Sequence, residues 1–450
     1  MSNAVWDITS KCNLNCKHCY NSEKYNKNYG SDLTYENCVK LISILKENNC
    51  KFISLLGGEP LLHPNIMEIL KLCKKNDIKV AITTNGLNLS NTTIKNITES
   101  SVSHILISLD GGDSETNDNI RGHGVFDKVV SNIKTLMTYI KNYNSKIVVC
   151  IAYSLFSLNV DSLKNIVNIC KNLKIEYLNL TPLINSGNAS KKWKDIKLKD
   201  FELLDAIEEV IVHTISVYPS LRINIDARPL VIWYLKKRYP ANISYLLGHT
   251  KCQVLDKLLY ITANGNLHPC GLYTLQPGKE AQKNKYFNSN DTFNIINIKT
   301  IDDIYKSKYY IDFISSMKKL EKPEYHSNCT TCPVRNDCYP CPYQFINGVV
   351  DCDWSNFKIN KMIDEIKDWT IINKADISLE YLHNEAEKLV YKSLKPGIKF
   401  CNNYLFFLKN SDKSLNFFEY LDVLNELEKK FLIKTKRSNA YENEKSLYSI

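Results

Sequence analysis

The chain has 450 residues, 44% of them hydrophobic and 24% charged, with a formal net charge of +10. This balance suits a globular protein of two or three units with sizeable cores, and it excludes a disordered or fibrous chain. Lys and Arg are spread along the sequence instead of gathering in one basic arm, which argues against nucleic acid, and no stretch reads as a membrane span.

From Ala4 to about Tyr218, short β-rich runs alternate with longer amphipathic stretches, the pattern of a parallel sheet wrapped by helices. Strands are predicted at Val5–Ile8, Phe52–Leu56, Val80–Thr83, Ile105–Leu109, Ile147–Tyr153 and Tyr177–Leu180. Helices are predicted at Thr34–Lys46, Asn65–Lys75, Thr92–Thr98, Phe126–Tyr143, Val160–Asn172 and Asp200–Ser216. Six such units predict an α/β fold, a partial (β/α)6 TIM-like barrel over residues 1–218, open where eight units would close. Chemistry in such barrels belongs at the C-terminal strand ends, and Gly57-Gly58-Glu59-Pro60, Thr84-Asn85-Gly86, Asp110-Gly111-Gly112 and Thr181-Pro182-Leu183 all fall there.

Residues 219–251 read as a bridge, with a short strand at Ile223–Ile225 and helical turns around Leu230–Lys236. Over 252–354 apolar periodicity fades while Cys and Pro increase, so this part is expected to need metal to hold it together. Residues 355–450 read as a mainly helical C-terminal extension, with helices at Asp376–Lys392 and Asn416–Leu432 and a strand near Tyr404–Leu408. No internal repeat is evident.

Met1 to Ser10 runs directly into a cysteine motif, leaving no room for a signal sequence, so a cytoplasmic protein is expected. Sixteen cysteines in such a chain point to metal binding more than to disulfides. Cys38, Cys50, Cys73, Cys150, Cys170 and Cys401 lie singly in apolar stretches, as buried thiols do. Cys12, Cys16 and Cys19 instead stand together as C-x3-C-x2-C just after the first strand. Three thiolates on one loop can ligate three irons of a 4Fe-4S cluster and leave the fourth open. Structural zinc normally takes four ligands, and beyond His18 no fourth follows at suitable spacing.

This triad resembles that of the radical S-adenosylmethionine (radical SAM) superfamily, in which the residue before the last cysteine is usually aromatic; here it is His18. The resemblance implies that the open iron chelates S-adenosylmethionine, whose reductive cleavage gives a 5′-deoxyadenosyl radical that abstracts hydrogen from substrate. Gly57-Gly58-Glu59-Pro60 looks like the family's Gly-Gly-Glu-Pro element, which makes Glu59 the expected partner of the methionyl ammonium. By the same resemblance Ser108 and Asp110 reach the cofactor's ribose or carboxylate. Arg121 suits its carboxylate, since a guanidinium recognises that group with a two-pronged fork. Thr84, Asn85 and the backbone near Leu183 are expected adenosine neighbours.

Cys252, Gly265 and Cys270 stand as C-x12-G-x4-C, followed by Cys329, Cys332, Cys338, Cys341 and Cys352. The set resembles the SPASM extension of radical enzymes, which carries two auxiliary 4Fe-4S clusters. Carried over, Cys252, Cys270 and Cys341 ligate the first and Cys329, Cys332, Cys338 and Cys352 the second. Two departures stand out: the gap before Cys341 is one residue shorter than usual, and Leu258 replaces a further cysteine of some members. The first cluster is thus left with an open iron or a non-cysteine ligand. A zinc-ribbon pair would use the same thiolates.

SPASM enzymes commonly modify peptides, so the resemblance implies maturation of a ribosomally made peptide, with a peptide or protein substrate. A flavodoxin- or ferredoxin-like electron donor suits the positive charge. Cys12 comes so early that no leader-binding domain is expected ahead of the barrel, and a separate leader-binding protein would take that role. Formylglycine formation in sulfatases is an alternative, weakened because that group carries Asp where this chain has Gly271. A small-molecule reaction on a haem precursor or aminocyclitol is another, and an iron-sulfur scaffold or sensor a fourth. Asp226, Tyr153, Asn179 and His268 are polar groups of the barrel mouth that sequence alone does not rank.

Overall fold

The computed structural model describes residues 3–22, 31–198, 200–226, 258–271 and 293–320, with shorter stretches that include 231–232, 246–247, 370–374 and 433–436. Six strands, β1 (Asn3–Thr9), β2 (Phe52–Gly57), β3 (Lys79–Thr84), β4 (Val102–Ser108), β5 (Val148–Leu155) and β6 (Tyr177–Pro182), lie side by side in chain order, all parallel. Between them run α1 (Tyr35–Glu47), α2 (Ile66–Lys75), α3 (Asn91–Thr98), α4 (Ser114–Arg121), α5 (Val125–Asn142) and α6 (Leu163–Leu173). After β6 come α7 (Gly187–Lys191), α8 (Trp193–Ile196) and α9 (Asp200–Val217).

Strands that always step the same way through right-handed crossovers put every crossover helix on one face of the sheet. The side chains record it. Ile53, Leu55, Ile105, Ile107 and Leu178 are fully buried beneath the helices, while Ser54, Leu106, Ser108, Asn179 and Thr181, on the opposite face, are only half-buried. Short polar residues start the helices: the Thr34 hydroxyl accepts from the Asn37 N–H at the head of α1, and the Ser90 hydroxyl from the Thr93 N–H, at 3.2 Å, at the head of α3.

α4 was not expected, because Ser114–Arg121 contains a single large apolar residue, Ile120, and so carries no periodic signal. Its cap makes it: Asp113 accepts from the Thr116 N–H at 2.7 Å, and Gly122, at φ +126°, ends it. The sheet is also wider than six strands. β7 (Arg222–Ile225) and β8 (Leu246–Leu247) continue in parallel beyond β6. At the other edge β9 (Leu259–Ile261) runs parallel to β1, followed by antiparallel β10 (Asn266–His268) and β11 (Phe293–Asn294). Strands of two or three residues, as β8 to β11 are, are too short to show a period of two. The predicted strand at Ile223–Ile225 makes up the last three residues of β7, and the segment read as a bridge contributes β7 and β8 to the sheet.

α10 (Asp302–Tyr305) and α11 (Lys308–Leu320) follow β11. The chain divides into two compact units, Met1–Tyr325 with Asn336–Asp351, and His326–Arg335 with Cys352–Ile450. In the second, β12 (Thr370–Lys374) pairs antiparallel with β13 (Ile433–Lys436). The strand expected near Tyr404–Leu408 lies outside the described residues.

Candidate active site

The Gly-Gly step that ends β2 is a steric requirement. A Cβ on Gly57, at φ +124°, would lie 2.4 Å from the Thr9 carbonyl oxygen, and one on Gly58 would lie 2.0 Å from that of Lys11. Without them, the Gly58 N–H donates to Thr9 O and the Glu59 N–H to Lys11 O, each at 2.8 Å. The strand end thereby grips the stem of the Cys12–Cys19 loop.

A second grip comes from Ser186-Gly187-Asn188, after β6. The Asn188 N–H donates to Cys19 O at 2.9 Å, and its side-chain amide donates to Cys16 O and to Asn15 Oδ1, each at 3.0 Å. Ser186 Oγ donates to Tyr20 O at 3.0 Å, and a Cβ on Gly187 would stand 2.3 Å from Cys19 O. The Lys17 N–H donates to Ile120 O at 3.0 Å, which adds α4 to the clamp. Sequence reasoning stopped at Leu183 and missed this segment, since Ser-Gly-Asn reads as any turn.

Glu59 is fully buried at the head of the turn Pro60–Leu62. Its Oε1 accepts from Thr84 Oγ1 at 2.7 Å and the Leu61 N–H at 3.1 Å, and its Oε2 from the Asn85 N–H at 2.7 Å. Burial raises its pKa against these hydrogen bonds, which favour the carboxylate. Asn85 in turn donates through Nδ2 to Asn13 Oδ1 at 2.7 Å, so the ends of β2 and β3 and the cysteine loop form one hydrogen-bonded unit.

Beyond β4, Asp110 is fully buried. Its Oδ2 lies 2.6 Å from Arg121 Nη2 and 3.2 Å from His18 Nε2, and its Oδ1 accepts from the Ser154 N–H at 2.7 Å. Asn117 and Asn159 hold the Asp110 backbone, by accepting from its N–H and donating to its C=O, each at 3.0 Å. Burial works against the Arg121 charge, but Asp110, Cys16 and Cys19 outweigh it and raise its pKa. Burial also lowers the pKa of His18, with Asp110 opposing. The His18 ring packs 5.4 Å from that of Phe156, which belongs to a cluster with Ile120, Leu183 and Ala189. Leu183 therefore reaches the site through Phe156. Arg121 Nε and His18 Nδ1 are buried without a hydrogen-bond partner. Ser108 is half-buried on the inner face.

Cys12, Cys16 and Cys19 are free thiols, partly exposed. Burial raises all three, Cys19 to about 12, while Arg121 and backbone N–H groups favour the thiolates. Three such thiols beside a guanidinium and two orphaned buried nitrogens fit a metal cluster with an anionic or polar ligand. Among the described residues no three His, Cys, Asp or Glu converge as the ligands of one metal ion do. Thiolates bound to three separate irons need no such convergence.

Cys270 is partly exposed after β10, whereas Cys252, Cys329, Cys332, Cys338, Cys341 and Cys352 lie outside the described residues. Tyr153 is a packing residue, its hydroxyl donating to Asn159 O at 2.6 Å.

Residues 6–170 match the family model described as the radical SAM superfamily, and residues 252–333 that of SPASM, an iron-sulfur cluster-binding domain. An AdoMet-dependent heme synthase of Methanosarcina barkeri is 31% identical over 29% of this chain and 38% of its own length. AlbA, an antilisterial bacteriocin subtilosin biosynthesis protein of Bacillus subtilis, is 26% identical over 77% of this chain and 68% of its own. The chain spans between a third and two fifths of the first curated relatives it matches. In fold it is similar to Streptococcus suis SuiB bound to S-adenosylmethionine, at a TM-score of 0.58 and 19% identity over 76% of this chain and 73% of that one. SuiB is also known bound to the precursor peptide SuiA. No helix among the described residues is long and apolar enough to cross a membrane.

Proposed function

We propose that this chain, which carries a radical SAM domain followed by a SPASM iron-sulfur domain, is a peptide-modifying enzyme that matures a ribosomally made peptide. Its cofactors are 4Fe-4S iron-sulfur chemistry and S-adenosylmethionine, which together supply reductive cleavage and hydrogen abstraction from the substrate. Cys12, Cys16 and Cys19 hold the cluster that binds S-adenosylmethionine. Arg121 receives the cofactor's carboxylate, aimed by Asp110, and His18 lies against the same ligand. Gly57, Gly58 and Pro60 shape the strand end where the ammonium sits, and Glu59 fixes Thr84 and Asn85 there as adenosine neighbours. Ser108 and the chain near Leu183 complete that pocket.

The observation that carries this reading is the clamp: the ends of β2 and β3, Asn188 in α7 and Ile120 in α4 all hydrogen-bond to one cysteine loop, with a buried Arg–Asp pair beside its thiols. Residues 252–354 hold two auxiliary clusters, one on Cys252, Cys270 and Cys341, the other on Cys329, Cys332, Cys338 and Cys352. A flavodoxin- or ferredoxin-like protein delivers the electron, a separate leader-binding protein presents the peptide, and the reaction is cytoplasmic.

The likeness to AlbA over most of the chain supports a peptide substrate. A haem precursor is the second reading, favoured by the 31% identity to the heme synthase. Formylglycine formation fits less well, because a Cβ on Gly271 would stand 2.4 Å from the Tyr260 ring, so an Asp side chain has no room there.

The test is anaerobic reconstitution of the wild type beside the Cys12→Ala, Cys16→Ala, Cys19→Ala variant. About twelve irons falling to about eight, with 5′-deoxyadenosine lost, is expected for three 4Fe-4S clusters. Zinc in place of iron, or 5′-deoxyadenosine surviving in the variant, overturns the radical chemistry. Turnover is then sought with peptides encoded beside the gene and with coproporphyrin III. Modification of the porphyrin alone overturns the peptide assignment.

A further inference from the structure

The inner face of β4 to β7 is unusual for a barrel wall, where large branched side chains normally fill the interior in layers. Ser108 pairs in register with Ala152, Ala152 with Asn179, and Asn179 with Asn224, so these four side chains form one row across four strands. All four are half-buried, whereas their neighbours on the helix-facing side, Ile107, Ile151, Leu178, Leu180, Ile223 and Ile225, are buried. Half-exposure on the inner face means open space in front of the row. Below it, Arg222 Nη1 donates to the Tyr177 hydroxyl at 2.8 Å, and its guanidinium lies 5.4 Å from the centre of that ring. That cation is therefore already engaged.

Asn179 and Asn224 are the informative members. Neither side-chain amide has a hydrogen-bond partner among the described residues, although every other carboxamide in the clamp and strand ends described above is bonded. Two carboxamides on adjacent strands stand about 4.8 Å apart. Together they offer paired donors and acceptors, which is the complement of a neutral planar amide and a poor match for a carboxylate, which calls for cations.

We propose that Asn179 and Asn224 form a substrate-binding wall that hydrogen-bonds a peptide unit of the substrate. This rests on the peptide reading above and narrows it: the group held at this wall is a main-chain or side-chain amide, not a propionate of a tetrapyrrole.

The probe is the blocked dipeptide N-acetyl-glycyl-glycine N-methylamide, with coproporphyrin III beside it, each titrated anaerobically into reconstituted holoenzyme and followed by saturation-transfer NMR. Asn179→Ala with Asn224→Ala is expected to weaken the dipeptide signal at least fivefold while leaving the porphyrin signal as in wild type, and each single variant to weaken it less. Melting curves confirm that the variants are folded, and Asn179→Ser with Asn224→Ser serves if the alanine pair is not. Dipeptide signals equal in wild type and folded variant, or absent from both, overturn the proposal. 5′-Deoxyadenosine formation by the wild type is measured in parallel. Its absence refutes the radical reading, while the binding comparison reports on the wall alone.

Discussion

The Asp110–Arg121 contact shows how a single residue pair controls the site. Both side chains are buried, 2.6 Å apart, and Asp110 also carries the hydrogen bond from Ser154. Removing one partner leaves the other charge uncompensated in a poor solvent. Asp110→Asn is expected to lower stability by about 3–5 kcal/mol. Combining it with Arg121→Met should cost less than the two single changes summed, which chemical denaturation measures directly. Additive losses would show that the two charges do not depend on each other. Asp110 and Arg121 were both legible as candidates, but their pairing was not, because it depends on the unforeseen helix α4 carrying Arg121 back toward the end of β4. Another residue-scale effect is pH dependence. His63 is buried, accepts from the Asn65 N–H through Nδ1 at 3.2 Å, and has its pKa lowered by burial. Its unfolded value near 6.5 then exceeds its folded one, so the unfolded chain binds the proton more readily. The stabilisation is complete above about pH 6.5 and is lost as pH falls through the folded value. His63→Asn keeps an acceptor for Asn65 and removes the proton site, so it should flatten the melting temperature between pH 7 and pH 5. A variant that tracks the wild type over that range would assign the acid loss elsewhere.

Elements are joined here by glycines chosen for contact as much as for turning. Gly58→Ala forces a Cβ toward the Lys11 carbonyl at 2.0 Å, and a backbone neighbour cannot swing aside as a flexible side chain would. The strand end and the cysteine loop must separate, so a loss of roughly 2–4 kcal/mol is expected together with loss of the iron bound at Cys12, Cys16 and Cys19. Gly124→Ala is the control. At φ +74° it carries backbone strain, but a Cβ meets nothing within 4 Å, so about 1 kcal/mol and no loss of iron is expected. Equal iron content in both variants would sever the proposed link between the Gly-Gly step and the loop. The Gly-Gly step was readable as a motif, whereas its mechanical role needed coordinates. The same division runs through the elements. β1 to β6 were readable because apolar and β-branched residues alternate or run together in each, as in Val102–Ile107 and Tyr177–Leu180. β7 was readable at Ile223–Ile225 but its place in the sheet was not, whereas β8 to β11 and α4 were hidden because each is short or nearly devoid of apolar residues, and only pairing or capping with distant chain makes them.

At the scale of the whole molecule, the chain combines a region that folds on apolar burial with one whose sequence offers little of it. The parallel sheet buries Trp6, Ile8, Ile53, Leu55 and their neighbours completely, which stabilises it without metal. Residues 252–320 add β9 to β11 to that sheet, whereas 321–354 concentrate Cys329, Cys332, Cys338, Cys341 and Cys352 in sequence with few periodic apolar positions. Where thiolates replace a core, binding energy of the metal becomes folding energy. Stripping the iron should therefore divide the two regions by their sensitivity. Anaerobic chelation of the reconstituted protein, followed by brief proteolysis and mass mapping, should leave a fragment spanning the sheet and place new cleavage within 321–354. The reconstituted protein should resist there under the same conditions. If iron-free and reconstituted protein are cut alike, metal contributes nothing to that region's fold. If the sheet itself is cut first, the clamp on Cys12–Cys19 holds more of the barrel together than its apolar core does, and the order of dependence argued from the burial of Trp6 and Ile53 is reversed.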